Sequence, residues 1–231
     1  MSEVLTDPYR FAVAGFDKSG ILVYYQFCES SGDLINKATI ANGFADGLGD
    51  SQDGGVGSGV DYSVEGIIDD AYDFDATSNG RVTLSTDIIT GTGAFSINIW
   101  LYHTAQSGND TVVQGDGQTL IQYQSATDAY QGGQDPRLTS TTDIPLNTWN
   151  MVTYTRDASN NAKLYIDGTE EATGSNSTSI NSGTWTIGGI APSYVEMWNG
   201  RVDELLIANI ELSSDQVTEL YNGGAALNLL A

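Results

Sequence analysis

Short apolar runs recur along this chain with a period of two. In Phe95–His103, FSINIWLYH, the side chains of Phe95, Ile97, Ile99 and Leu101 share one face, while Ser96, Asn98, Trp100 and Tyr102 share the other. That alternation marks a strand with one face buried. WNMVTYTRDASNNAKLYIDG, from Trp149 to Gly168, reads as two strands, Val152–Thr155 and Ala162–Ile166, around the polar turn Asp157–Asn161. Val, Thr, Tyr and Ile favour extended backbone, whereas Asp, Ser and Asn favour the turn. Further strands are expected at Ile21–Phe27, within Ala71–Leu84 on either side of a turn, twice within Thr111–Tyr123, at Thr184–Ile187 and at Arg201–Asn209. A helix is expected in LSSDQVTELYN, where Ser213 or Ser214 can cap and Val217, Leu220 and Tyr221 fall on one face. Many strands, one helix and no internal repeat predict an all-β protein, a two-sheet antiparallel jelly-roll sandwich with one short C-terminal helix. The expected organisation is an arm over residues 1–20, the sandwich over 21–222 and a tail over 223–231.

A chain of 231 residues suffices for one large β domain with a substantial core. Its 27 glycines and 4 prolines suit short strands joined by tight turns. The Gly- and Asp-rich stretch from Ala41 to Ser63 reads as a long loop. Gly54–Asp61 differs from the calcium nonapeptide repeat by two inserted residues and does not recur. The net charge of −22, from 30 acidic and 8 basic side chains, disfavours binding to nucleic acid or to anionic lipid. Membrane insertion is not expected, because no apolar run approaches a spanning length. A single cysteine, Cys28, excludes an internal disulfide framework, and the acidic N-terminal segment does not read as a secretory signal.

Five segments in order carry a family resemblance. They are YYQFCESSGDLINKA, DFDATSNGRVTL, FSINIWLY, WNMVTYTRD with LYIDG and TIGG, and NGRVDELLIAN followed by LSSDQVTELYN. Together they resemble the laminin-G-like, concanavalin A-like jelly rolls from about Gly20 to Tyr221. The resemblance implies a binding module, because most such domains bind rather than transform. Where members hold calcium, it implies ligands at Asp33 or Asn36, at Asp75 and at Asp203. Cys28 and Ala76 depart from the family pattern within loops that carry such sites.

Catalytic chemistry finds little support in the residues. Glycoside hydrolysis requires two carboxylates across one cleft, and no Glu-x-Asp-x-Glu triplet occurs. Asp203 and Glu204 are adjacent, which on a regular strand points them to opposite faces. His103, the only histidine, is expected at a strand end on the surface. The chain therefore reads as non-enzymatic. Sugar rings stack on exposed aromatics, and Tyr130, Tyr194 and Trp198 fall in expected loops, with Tyr194 and Trp198 forming the best patch. Two partner classes follow. One is other virion proteins, the chain serving in an oligomeric bacteriophage assembly as a capsid-decoration or tail-associated protein. The other is cell-surface glycans, bound by a lectin-like adhesion module.

Overall fold

Two antiparallel sheets face one another in the computed structural model, which describes residues 16–84, 87–105 and 108–231. In chain order the strands are β1 (Ile21–Tyr25), β2 (Gly54–Val56), β3 (Val60–Glu65), β4 (Asp70–Phe74), β5 (Val82–Leu84), β6 (Phe95–His103), β7 (Asn109–Gly115) and β8 (Gln118–Gln124). They continue with β9 (Ala129–Gly132), β10 (Leu138–Thr139), β11 (Trp149–Arg156), β12 (Asn161–Ile166), β13 (Thr169–Ser175), β14 (Trp185–Ile187) and β15 (Gly200–Ala208). One sheet runs β13-β12-β11-β6-β15-β4-β3, with β1 also paired to β15. The other runs β10-β9-β8-β7-β14-β5-β2. Each sheet also joins strands distant in sequence, β11-β6-β15-β4 in one and β7-β14-β5-β2 in the other, as a jelly roll requires.

The expected hairpin is β11 and β12, with Val152 opposite Ile166 and Thr155 opposite Lys163. The inward residues of both sheets form the main core: Phe95, Ile97, Ile99 and Leu101 from β6 meet Val113, Leu120, Trp185 and Ile187 from the facing sheet. The long segment from Ala41 to Ser63 is more ordered than its composition suggests. It contributes β2 and the start of β3, because Gly54 exchanges backbone hydrogen bonds with Leu34.

A second apolar cluster lies on the outer face of the eight-stranded sheet, where Tyr24, Trp100, Met151 and Leu206 are covered by the helix α1 (Ser214–Tyr221) and the residues after it. Tyr221 stacks on Trp100 at 5.8 Å, and Ala226, Leu227 and Leu229 are buried. Ser96 Oγ donates to the Ile210 carbonyl and accepts from the Leu212 N–H. This alternate face of β6 is thus buried as well, which explains why Trp100 sits among the polar positions of its strand. At the other end of the chain, Phe16 packs against the same cluster; the rest of the expected arm, residues 1–15, lies outside the described residues.

Ser213 caps α1. Its Oγ accepts from the Gln216 N–H, and the Gln216 side chain returns the bond to the Ser213 N–H. Ser213→Ala is expected to cost about 1 kcal/mol, read as a lower urea midpoint at unchanged slope. A midpoint equal to wild type refutes a stabilising cap.

Candidate functional site

The outward face of the seven-stranded sheet is polar in two continuous rows, because residues directly opposite one another on neighbouring strands share a face. Gly55, Thr83, Thr186, Gln114 and Thr119 are successive partners across β2, β5, β14, β7 and β8. Thr111, Gln122, Gln131 and Thr139 are partners across β7, β8, β9 and β10. Side chains link along and between the rows. Gln122 Nε2 donates to Gln131 Oε1, Gln131 Nε2 to Thr139 Oγ1, and Thr186 Oγ1 to Gln114 Oε1. The Thr111 and Thr119 hydroxyls meet at 3.3 Å. Most of this network is buried, beside the segment from Ile190 to Trp198. Ala191 N–H donates to Gln114 Oε1, and Glu196 accepts from both the backbone and the hydroxyl of Thr111.

The first row emerges at the β2–β5 end into a surface cleft of about 230 Å³, lined by Gly55, Gly57, Ser58, Asn79, Arg81 and Tyr194 among others. Val82 and Leu84 point inward to the core, so Thr83 between them points out. Gly55 opposes Thr83, and a Cβ there would meet nothing closer than the Thr83 carbonyl at 3.9 Å. Glycine therefore keeps the cleft floor open. Behind it two backbones touch: a Cβ on Gly80 would lie 2.1 Å from the Gly59 carbonyl. This close approach sets the Ser78–Asn79 turn against the Gly57–Gly59 wall.

Tyr194 forms the rim. It is 49 % exposed, and the Arg81 guanidinium sits 4.3 Å from its ring centroid. Tyr194 and Glu196 both adopt left-handed backbone, at φ 51° and 50°, a conformation that costs non-glycine residues energy and is concentrated at functional sites. Among the described residues, no acidic side chain lines the cleft. The polar rows escaped the sequence reading, although the repeated Gln and Thr of TVVQGDGQTLIQYQ (Thr111–Gln124) hold the signal: amides and hydroxyls at alternating positions in a chain rich in apolar strands.

Of the expected binding residues, the structure brings Tyr194 to the cleft but not the other two. Trp198 is fully buried and stacks on His103 at 4.5 Å. Tyr130 is fully buried against Tyr123, and burial pushes its phenol pKa up. Both fall in expected loops by sequence, yet Trp198 turns inward immediately before β15 and Tyr130 is a core residue of β9. His103 is likewise a correction: it is buried, with Nε2 at 3.0 Å from Asp110 Oδ2.

The expected calcium ligands are dispersed among separate structural tasks. Asp33 is exposed. Asn36 is buried, its Oδ1 accepting from the N–H groups of Tyr24 and Ala38 and its Nδ2 donating to the Leu22 and Gly49 carbonyls. Asp75 accepts from Thr77 and Ser78, whose bonds hold its pKa down at about 2. Asp203 accepts from the N–H groups of Ile67, Ile68 and Glu204. Among the described residues, no group of three or more His, Cys, Asp or Glu is arranged to hold a metal ion. These residues do not fit a calcium site.

Asp203 and Glu204 also depart from the expected geometry. A bulge interrupts the register of β15 between Asp203 and Leu206, with Glu204 at φ 50°. The core receives Val202 and Leu205 on either side of it. Both carboxyls are consequently buried toward the outer layer, Glu204 accepting from the Tyr24 hydroxyl. Burial raises both pKa values well above the ordinary carboxylate range. They lie on the opposite sheet from the cleft.

The sheet orders, the buried inter-sheet core and the single capped helix define a lectin-type β-sandwich. The profile of the concanavalin A-like lectin/glucanases superfamily matches residues 75–218, and the chain belongs to that family. Its fold is similar to domain 4 of the arabinanase AbnA of Geobacillus stearothermophilus, solved with arabinotriose, at 17 % identity and TM-score 0.66, covering 86 % of this chain and 97 % of that one. It is similar to the binding domain of Paraclostridial Mosquitocidal Protein 1, at 14 % identity and TM-score 0.67, covering 89 % and 52 %. It also resembles Trypanosoma rangeli sialidase, at 12 % identity and TM-score 0.64, covering 90 % and 34 %. The chain thus spans about half of the toxin domain and a third of the sialidase. No curated protein sequence matches.

Proposed function

We propose that the chain is a non-enzymatic glycan-binding module whose ligand enters the cleft between Tyr194 and the β2–β5 edge. One observation carries this reading: a half-exposed aromatic ring stands beside a compact cleft lined by hydroxyls, an amide, exposed backbone and a guanidinium. A sugar ring presents C–H faces that pack on an aromatic ring and hydroxyl edges that need such hydrogen-bonding groups. The volume is smaller than a typical drug-sized pocket, so it takes a terminal residue or one ring of a chain. The similar arabinanase domain, which was solved with an oligosaccharide, supports the same class of ligand.

A hydrolase reading has less support. The cleft lining offers no carboxylate pair, and the buried pair at Asp203 and Glu204 is on the other sheet. The virion role expected from sequence gains no support from the fold, whereas display at a cell surface suits a glycan-binding module.

The test is a glycan array followed by calorimetry on the wild-type ligands. Tyr194→Ala and Gly55→Gln are each expected to weaken binding at least tenfold with unchanged urea stability, the first by removing the stacking face and the second by filling the cleft. Undiminished binding in both variants sinks this assignment.

A further inference from the structure

The cleft contains a cation that the fold itself leaves without an anion. Arg81 lies in a chain with 30 acidic and 8 basic side chains, yet no carboxylate comes within ion-pair reach of it among the described residues. Lys37 pairs with Glu29, Lys163 with Glu170 and Glu211, and Arg201 with Asp73. Lys18, Arg137 and Arg156 share the lack of an ion pair with Arg81, but Arg81 is the one of these four that lines the cleft. One guanidinium nitrogen of Arg81, Nη1, is buried without any hydrogen-bond acceptor. A buried, unsatisfied donor on a charged group is costly; Nη1 itself is closed off, while Arg81 as a whole is only partly buried and lines the cleft beside the exposed Tyr194 ring.

We infer that Arg81 recognises the carboxylate of an acidic sugar, a terminal hexuronic or sialic acid residue, in this cleft. The inference rests on the glycan-binding reading and narrows its ligand class. Guanidinium and carboxylate are matched in shape, forming two parallel charge-assisted hydrogen bonds where an ammonium acts as a point charge. The Tyr194 ring at 4.3 Å restrains the guanidinium, so little side-chain freedom is lost on binding. Serine and asparagine side chains at Ser58, Ser78 and Asn79 stand ready for the sugar hydroxyls. Among the described residues no acid is in the lining itself; the Asp75 carboxylate behind Ser78 is already engaged by Thr77 and Ser78.

The experiment pairs each acidic probe with its neutral counterpart. Trigalacturonate and 3′-sialyllactose are titrated beside the same oligosaccharides with the carboxyl reduced to hydroxymethyl, on wild type, Arg81→Gln, Arg81→Lys and Tyr194→Ala. On wild type, at least one acidic probe is expected to bind tenfold or more tightly than its reduced partner, because a site built for a charged group rejects the analogue that lacks it. Arg81→Gln should abolish that preference, lowering affinity for the acidic probe at least tenfold more than for its reduced partner, and Arg81→Lys should restore only part of it. A merely structural role for Arg81 would weaken both members of a pair equally, which overturns the inference. Equal affinity of acidic and reduced probes on wild type, with Tyr194→Ala still disruptive, overturns the acidic-sugar inference and leaves the glycan reading standing. Binding of neither class, or binding indifferent to Tyr194→Ala, overturns both.

Discussion

Arg156→Met is expected to destabilise the fold by about 3–5 kcal/mol, measured as the unfolding free energy in urea. Arg156 is 1 % exposed at the end of β11. Its guanidinium donates to the carbonyls of Gly91, Gly93, Asn176 and Thr178 and lies 4.6 Å from the Phe95 ring centroid. One side chain thus fastens the segment before β6 to the segment after β13, two connections that otherwise meet through the Gly91–Ile180 bridge. Methionine fills the volume but offers no donor, so several carbonyls lose their partner, each at a cost of about 1–3 kcal/mol where water cannot replace it. Domains are typically stable by only about 5–15 kcal/mol. Arg156→Lys recovers charge without the fork and should fall between the two. A loss below about 1 kcal/mol for the methionine variant would show that water satisfies those carbonyls and that the clamp is dispensable.

The sandwich was legible because sheet-forming strands leave a period-two pattern that survives in local sequence. The hairpin of β11 and β12, the faces of β6 and the capped helix all follow from alternation and capping chemistry. What local sequence does not encode is which outer faces are covered. Trp100 is a large aromatic expected to pack, but only the fold shows that α1 is what covers it on the otherwise polar face of β6. His103 looks like a strand-end surface residue until Asp110 and Trp198 enclose it. Of the two aromatics expected to form a patch, Tyr194 is exposed at the cleft and Trp198, four residues on, is buried. Both are aromatic residues in the same polar stretch, and only the inward path toward β15 separates them. The polar rows depend on cross-strand register, a long-range property that no single segment contains. Arg81 was missed for a related reason: its lack of an acidic partner is a fact about space.

The bulge at Asp203–Glu204 makes stability fall as pH rises, and that loss is removable by one substitution. Glu204 is buried against Tyr24, which donates to its Oε2 and in turn accepts from the Leu229 N–H. Its Oε1 has no hydrogen-bond partner, and among the described residues it makes no ion pair, although the Tyr24 and Gln26 side chains oppose the rise in its pKa. Desolvation is the chief cause of its raised pKa, followed by the charge of Asp203, with Asp69 adding to it. Asp203 is raised by desolvation too, but three backbone N–H groups oppose the shift, whereas the Asp203 charge adds to the shift of Glu204, so Glu204 is the one tested. An ordinary glutamate titrates near pH ~4.3. Below that value both folded and unfolded chains hold the proton, and it contributes no pH dependence. Above it the unfolded chain releases the proton while the folded chain retains it, so the folded state binds more protons and unfolding becomes easier. The slope is about 1.4 kcal/mol per pH unit for one proton, and it continues until the pH reaches the raised folded value. Glu204→Gln presents nearly the same shape without an ionisable group. The variant should match wild type near pH 4 and gain on it progressively as the pH rises above the ordinary glutamate value, by at most about 1.4 kcal/mol per pH unit, in paired urea titrations. Parallel stability curves across that range would mean that Glu204 ionises inside the fold, which its buried setting, without an ion pair and with an unpaired oxygen, argues against.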